Sequence, residues 1–159
     1  NVDFDVLGNG IPDLEVGWSN QITLGDYTIN AFFRGAFGHS LVNTFRAFYE
    51  PRVGSQKSYN YINTELANPE IKNANFSSLY VEEADFFKLD NLTISRPLSD
   101  NINLSLNVQN AFVITSYTGS DPEPALFDLL DGNPLAPGIN RRNSYYSSRS
   151  FTLGLNVKF

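Results

Sequence analysis

The last nine residues of the chain alternate between apolar side chains and small, polar or charged ones. The apolar positions are Phe151, Leu153, Leu155, Val157 and Phe159. The positions between them carry small, polar or charged residues. Successive side chains of a β-strand point to opposite faces of its sheet. The pattern therefore predicts a strand over residues 149–159 with one apolar face and one polar face.

Four earlier segments show the same two-residue period. The strands that they predict cover residues 12–24, 27–37, 85–96 and 102–112. The third is the least regular, because Phe86 and Phe87 are adjacent and Asp90-Asn91 interrupts the alternation. Such an interruption indicates either a β-bulge or a different register in that strand.

The connections between the predicted strands alternate between short and long. Residues 25–26 and 97–101 form short links, whereas 38–84 and 113–148 are long. Long connections without structure of their own are uncommon inside compact soluble domains. Outer-membrane barrels combine short periplasmic turns with long extracellular loops. The pattern favours such a barrel, with Phe159 at the periplasmic end and both long segments as extracellular loops.

Composition argues against nucleic-acid binding, and the number of strands bears on whether the chain forms a barrel by itself. With 11 basic and 17 acidic residues, the net charge of -6 argues against nucleic-acid binding. No run approaches the ~20 apolar residues of a spanning helix, but barrel strands escape that criterion because only alternate residues face lipid. Five strands cannot close a barrel, and residue 1 is not Met. We therefore expect the chain to be a piece of a larger barrel, or one of several copies.

Four segments carry a resemblance to a known family. They are residues 8–50, 80–95, 106–124 and 150–159. The most specific is the Asn-Ala-Phe…Tyr-Thr-Gly-Ser-Asp-Pro stretch at 110–122. In this order they resemble the C-terminal end of the SusC/RagA family of TonB-linked outer-membrane proteins of Bacteroidetes. The chain departs from the family after Ser95, where Arg96-Pro97 leads at once into a short turn. Either the connection near 96–100 is shortened or residues are absent there.

The resemblance implies a fold and a function. The fold is all-β, a transmembrane antiparallel β-barrel of about 22 strands with a plugged lumen, of which this chain would supply the last five or so. The implied function is TonB-dependent import of oligosaccharides or peptides across the outer membrane of a Gram-negative cell. The implied partners are a SusD-like surface lipoprotein, the TonB complex of the inner membrane and outer-membrane lipid. Two alternatives stay open, a passive porin or other barrel and a secreted soluble β domain that binds a ligand.

The candidate functional residues are nine polar or charged side chains and one aromatic side chain on the face opposite the apolar one. They are Glu15, Gln21, Asn30, Phe32, Arg34, Asn103, Asn107, Gln109, Asn156 and Lys158. In a barrel they would face the lumen, where amides suit the hydroxyls of a sugar and the ring of Phe32 could stack on a sugar or pack against the plug. We predict that they contact the solute.

Catalysis and metal binding have little support in the sequence. His39 is the single histidine and Cys is absent, so no enzyme, cofactor or metal site is predicted. His39 is interpreted as a solvated loop residue. Acidic residues at Asp121, Glu123, Asp128 and Asp131 offer oxygen ligands of the kind calcium takes, but without the spacing of a calcium loop. A rigid, proline-punctuated loop is the preferred interpretation of that segment.

Overall fold

The computed structural model describes residues 5–52, 60–123, 137–142 and 145–159. They belong to two compact units. The sheet unit comprises Asp13–Phe37, Asp85–Thr115 and Ser147–Phe159, and the loop unit comprises the described parts of Asn1–Pro12, Gly38–Ala84 and Ser116–Tyr146. Among the described residues, no helix combines the length and the apolar character needed to span a membrane, a finding that has no bearing on crossing by strands.

Strands make up most of the regular secondary structure of the described residues. In chain order they are β1 (Leu14–Leu24), β2 (Tyr27–Phe37), β3 (Ser40–Asn43), β4 (Val81–Glu83), β5 (Phe86–Ser99), β6 (Ile102–Thr115), β7 (Ile139–Asn140) and β8 (Ser150–Val157). The helical elements are α1 (Thr44–Tyr49) and a 3₁₀ turn at Ser78–Tyr80. The fold is therefore all-β, as the sequence predicts.

The sheet unit is one antiparallel sheet with the order β1-β2-β5-β6-β8. A two-residue turn joins β1 to β2, and its first residue is Gly25 with φ of +59°. Glycine adopts this backbone conformation without the steric cost that other residues meet. Strand neighbours in the sequence are thus neighbours in the sheet wherever the connection is short.

Two strands extend further than the sequence predicts. β5 continues to Ser99, because Arg96 pairs with Leu104 and Pro97 pairs with Asn103. The link to β6 is then only residues 100–101, not the predicted 97–101. Proline and small polar residues mark turns in a sequence, and here they stand inside the strand. β6 likewise runs to Thr115 instead of ending at 112.

The irregular β5 contains the expected bulge. Its register against β2 shifts by one residue at Asp90, and its register against β6 shifts between Leu89 and Asn91. On β6 the opposite irregularity includes Asn110, whose φ of +50° is the positive value that asparagine tolerates better than most residues. The bulge restores the alternation, so that Asn91 onward faces the same side as the polar residues of β2.

The sheet has an apolar face and a polar face. On the apolar face, Trp18, Phe33 and Phe87 stack across three strands, with ring centroids 5.2 and 5.6 Å apart. Many of its large side chains are solvent-exposed, including Trp18 at 54% and Leu153 at 73%. A soluble monomer rarely exposes such a broad apolar surface. In this unit, the large apolar side chains lie on an exposed face of the sheet and not in a buried core.

The loop unit shows that the predicted long loop at 38–84 is not irregular throughout. β3 pairs antiparallel with β4 and parallel with β7. Asn43 ends β3 and caps α1, accepting a hydrogen bond from the Arg46 N–H at 3.1 Å. Asparagine is favoured at this position because its side chain satisfies an amide that has no partner inside the helix. Its short elements give the loop unit a buried centre.

That centre consists of Leu41, Ala84 and Tyr117. The Tyr117 hydroxyl accepts a hydrogen bond from the Asn140 amide at 2.7 Å, and burial raises the pKa of Tyr117. The Tyr-Thr-Gly-Ser motif thus has a structural role: its tyrosine fills the core, and the segment beside it packs closely against the ring.

Gly119→Ala is expected to destabilise the loop unit by about 1–3 kcal/mol through overpacking. A Cβ added at Gly119 would overlap the ring of Tyr117, which is buried and cannot swing away without losing Asn140. Thermal unfolding of the purified protein, or amide exchange at residues 40–50, would measure the loss. The matched control is Gly17→Ala, whose added Cβ would make only ordinary contacts of 3.8 Å; equal effects of the two changes would contradict this account.

Candidate functional site: the polar face of the sheet

Nine of the ten predicted solute-contacting residues lie on one face of the sheet. Cross-strand partners share a face, and the register joins Gln21 to Asn30, Asn103 to Asn156, and Phe32 to Asn91. Lys158 follows the last residue of β8. The structure therefore brings Gln21 beside Asn30 and Asn103 beside Asn156, whereas Glu15 stands at the far end of β1 opposite Ala36.

An amide-hydroxyl cluster occupies the middle of this face. The Asn107 side-chain amide donates to the Thr93 hydroxyl at 2.8 Å and to Asn91 Oδ1 at 3.1 Å. The Thr93 hydroxyl donates to the same Asn91 oxygen at 3.2 Å. Sequence reasoning found Asn107 but missed Asn91 and Thr93. The two-residue spacing of Asn91 and Thr93 could have shown that they share a face. It would have placed them on the polar face only if the bulge had been assigned to Asp90.

A charged cluster lies on the same face beside the bulge. Arg34 Nε donates to Asp90 Oδ2 at 3.0 Å, and Lys88 Nζ lies 3.5 Å from Asp90 Oδ1. Asp90 is the extra residue of the bulge, which directs its carboxylate between two cations. Only Arg34 of these three was predicted, because the irregular alternation of β5 does not show which of its residues share a face with Arg34.

A recess of about 320 Å³ opens at the turn end of the face. Three predicted residues line it, namely Asn103, Asn156 and Lys158. Thr28 and Ser95 add hydroxyl groups on the neighbouring strands. This part of the face offers hydrogen-bond donors and acceptors together with the Lys158 ammonium group and the Asp100 carboxylate, a combination suited to a polar solute.

Chemically, the face presents amides, hydroxyls and charged side chains, groups that can form hydrogen bonds with a polar solute. In the described part of the chain, no three His, Asp or Glu residues are grouped so that they could hold a metal ion. Glu123 N–H donates to Asp121 Oδ1 at 2.9 Å, a local turn contact. Asp128 and Asp131, the other two residues of the calcium hypothesis, lie outside the described residues.

The interpretation of His39 as a solvated residue is wrong. His39 is only 5% exposed, and its Nε2 lies 3.2 Å from the Pro122 carbonyl oxygen. The backbone of His39 also accepts the Ala84 N–H at 3.0 Å. The sequence placed it in a long loop, and the partners that bury it come from distant parts of the chain. His39 packs within the loop unit.

Buried charges tie the loop unit together. Arg46 is 3% exposed and donates to Glu50 and to Glu82, each at 2.6 Å. Burial alone would lower the pKa of Arg46, but the two carboxylates outweigh it, so that the pKa is raised. Glu82 also accepts from the Thr118 N–H at 2.9 Å and from the Asn43 amide at 3.1 Å. The network links α1, β3, β4 and the segment after β6.

Stability of the loop unit is expected to fall in acid because of Glu82. Burial by itself would raise the pKa of this carboxyl, but hydrogen bonds from Arg46, Thr118 and Asn43 more than compensate and hold it below the ordinary value of 4.5. A lowered pKa in the folded state contributes stability above the ordinary pKa, and this is lost as the pH falls through the folded pKa. Amide exchange at residues 40–50, corrected for its intrinsic pH dependence, should accelerate below about pH 4.5. Glu82→Gln should abolish this acceleration; an unchanged pH profile would contradict the assignment.

Comparison with known sequences finds relatives along nearly the whole chain. No family model matches. Two curated proteins of Formosa agariphila do match: TonB-dependent receptor P3, 26% identical over 178 residues, and TonB-dependent receptor P39, 28% identical over 185 residues. Each alignment covers 99% of this chain and 17% of the relative. The chain thus spans about a sixth of the length of these receptors.

Solved structures reproduce the fold. The RagAB peptide transporter superposes with a TM-score of 0.70 at 20% identity, over 94% of this chain and 17% of the other. The RagAB peptide importer in its closed-closed state gives a TM-score of 0.71 at 20% identity, over 94% and 18%. The named relatives are receptors and transport proteins, not enzymes, as the sequence predicts. Sequence and fold together confirm that this chain resembles the SusC/RagA family of TonB-linked outer-membrane proteins.

Proposed function

We propose that this chain forms part of the wall of an outer-membrane β-barrel that imports large nutrients with energy delivered by TonB. The observation that carries the proposal is the exposed apolar face of an antiparallel sheet, in a chain similar along 99% of its length to TonB-dependent receptors. The apolar face would contact lipid, and the polar face would line the lumen. Transport is a property of the whole receptor, to which these strands contribute one sector.

Strand length and exposure support the membrane location. β1 and β2 have 11 residues each, the length with which a strand tilted by about 45° crosses the hydrocarbon core. Phe151, Leu153 and Leu155 are between 63% and 73% exposed on the apolar face. Lipid around the barrel would remove this surface from water, which is favourable at about 25 cal/mol per Å².

The polar face is proposed to contact the solute or the plug. The ten residues predicted from the sequence are retained in this role, and Lys88, Asp90, Asn91 and Thr93 are added because they join the same clusters. Amides and hydroxyls that already bond to one another are held in fixed directions, which lowers the entropy cost of binding a polar solute. Phe32, 37% exposed, offers a ring beside them.

Orientation and partners complete the proposal. The turns at 25–26 and 100–101 would face the periplasm, and the loop unit would lie outside the cell, where a SusD-like surface lipoprotein would cover the barrel. The TonB complex would act from the inner membrane. The cargo would be oligosaccharides or peptides. Because the solved structures with this fold are named as a peptide transporter and a peptide importer, peptides are the favoured class.

Four measurements test the proposal. The denatured polypeptide purified from membranes should have a mass several times 17.8 kDa, since these residues would be one sector of a receptor. Deleting the gene should abolish uptake of the cargo, and so should deleting the gene for TonB. A large steady ion conductance after reconstitution would favour the passive porin instead. Monomeric behaviour without detergent would favour the soluble binding domain and would overturn the proposal.

A further inference from the structure

The apolar face of the sheet carries a single charged side chain among the described strand residues. The charged residues of β1, β2, β5, β6 and β8 are Glu15, Arg34, Lys88, Asp90 and Arg96. The register places Glu15, Arg34 and Lys88 on the polar face, and Asp90 pairs with the two cations there. Arg96 instead pairs with Leu104, which pairs with Leu155. A guanidinium group thus stands among side chains that would face lipid.

The position of Arg96 along β5 explains how this charge is tolerated. The apolar face of β5 runs from Phe87 to Ile94, and Arg96 is the next residue on that face towards the turn. Phe87 to Arg96 is nine steps, about 30 Å at ~3.3 Å each, which a tilt of about 40° reduces to the height of an apolar band of about 25 Å. Charges on a lipid-facing strand are least unfavourable at the ends of that band. Arg96 therefore lies at the level of the headgroups.

The geometry around Arg96 leaves the guanidinium oriented and partly exposed. Its Nη1 donates to the Tyr27 hydroxyl at 3.2 Å, and its Cζ lies 5.1 Å from the centre of the Tyr27 ring. The Arg96 side chain is 45% exposed. The nearest carboxylate, Asp26, is 3.8 Å away and 70% exposed, so water screens this pair and it neutralises Arg96 only weakly.

We propose that Arg96, held by Tyr27, binds the phosphate of a phospholipid headgroup in the membrane around the barrel. Guanidinium matches phosphate through two parallel N–H donors, and tyrosine is enriched at the same level of membranes. The acyl chains of that lipid would cover the adjacent apolar side chains, including Leu24, which is 61% exposed. This inference rests on the proposed membrane location and adds a specific lipid site to it.

The test is a lipid titration of the full-length protein in detergent, read by native mass spectrometry. The probes are dioctanoyl phosphatidylglycerol, dioctanoylglycerol without a phosphate, and inorganic phosphate. Arg96→Gln is expected to weaken phosphatidylglycerol binding about fivefold, the effect of one arginine near a charged membrane surface, and to leave dioctanoylglycerol binding unchanged. Tyr27→Phe, which keeps the ring and removes the hydroxyl, should give a smaller loss in the same direction.

Lys158→Gln is the matched control. Lys158 lies at the same end of the sheet but lines the recess on the polar face, so its loss removes one charge without touching the proposed lipid site. Equal loss in both variants, unchanged binding in Arg96→Gln, or inorganic phosphate bound as tightly as the lipid would overturn the inference while the membrane location stands. Recovery of the wild-type protein as a soluble monomer would instead overturn the proposed function itself. Circular dichroism melting ensures that the variants are compared as folded proteins.

Discussion

Arg46→Met is expected to destabilise the loop unit by about 3–5 kcal/mol, the cost of leaving buried charges without their partner. Arg46 is the cation between two carboxylates, and the side chains of Arg46 and Glu50 are only 4% and 2% exposed. Without it, Glu50 and Glu82 would lie close to each other with no positive charge between them. Methionine keeps much of the volume, so the loss reports charge and hydrogen bonding more than a cavity.

Amide exchange of the full-length protein measures this effect locally. The amides of β3 and α1, residues 40–49, should exchange faster, whereas those of β1 and β2 should not change. Arg52→Met is the control, because Arg52 is exposed, and its side chain donates a hydrogen bond to Asn63 Oδ1 at 2.7 Å and lies with its guanidinium over the Tyr61 ring. An exposed contact of this kind is worth about 1 kcal/mol or less. If the two variants behaved alike, the buried Arg46 network would not contribute measurably to the stability of the loop unit.

Leu153→Arg is expected to destabilise the full-length protein in phospholipid vesicles by about 2–4 kcal/mol. Leu153 is 73% exposed near the middle of the apolar face of β8, where its neighbour across the strand pair is Leu106. In lipid, arginine at this depth has no water around it. The size of the loss is informative, because an exposed leucine in a soluble protein tolerates the same change within about 0.5 kcal/mol.

Thr152→Arg provides the comparison on the other face. Thr152 precedes Leu153 on β8 and pairs with Asn107 on the polar face. The polar interior of the barrel would accept the arginine with little loss. The midpoint of urea unfolding in vesicles should therefore fall for Leu153→Arg and stay nearly constant for Thr152→Arg. Equal midpoints would contradict the assignment of the two faces to lipid and lumen.

Periodicity predicted much of the sheet because each strand has two different faces. Alternation in 102–112 and 149–159 locates β6 and β8, and the register then pairs Leu104 with Leu155 as two apolar side chains. The pattern failed where its period was broken. In β5 the bulge at Asp90 changes which residues share a face, so Lys88, Asp90, Asn91 and Thr93 were missed although their neighbours across the strands were found.

The loop unit was the part that sequence reasoning described least well. Its strands have four, three and two residues, too short for an alternating pattern to be recognised. Its buried polar groups depend on partners far along the chain, as Arg46 does on Glu82 and Tyr117 on Asn140. No local pattern shows that such a group will be buried, and this is why His39 was assigned to solvent.

By itself, the sequence determined the all-β class, the two-faced strands and the resemblance to SusC/RagA proteins. These follow from side-chain period and from motifs, which are local properties of a chain. Only the tertiary structure decided that Asn91, Thr93 and Asn107 form one cluster, that Arg46 bridges two buried carboxylates, and that Arg96 is the charge on the apolar face. Each of these depends on strand register and on contacts between distant segments, and a one-residue shift in register moves a side chain to the opposite face.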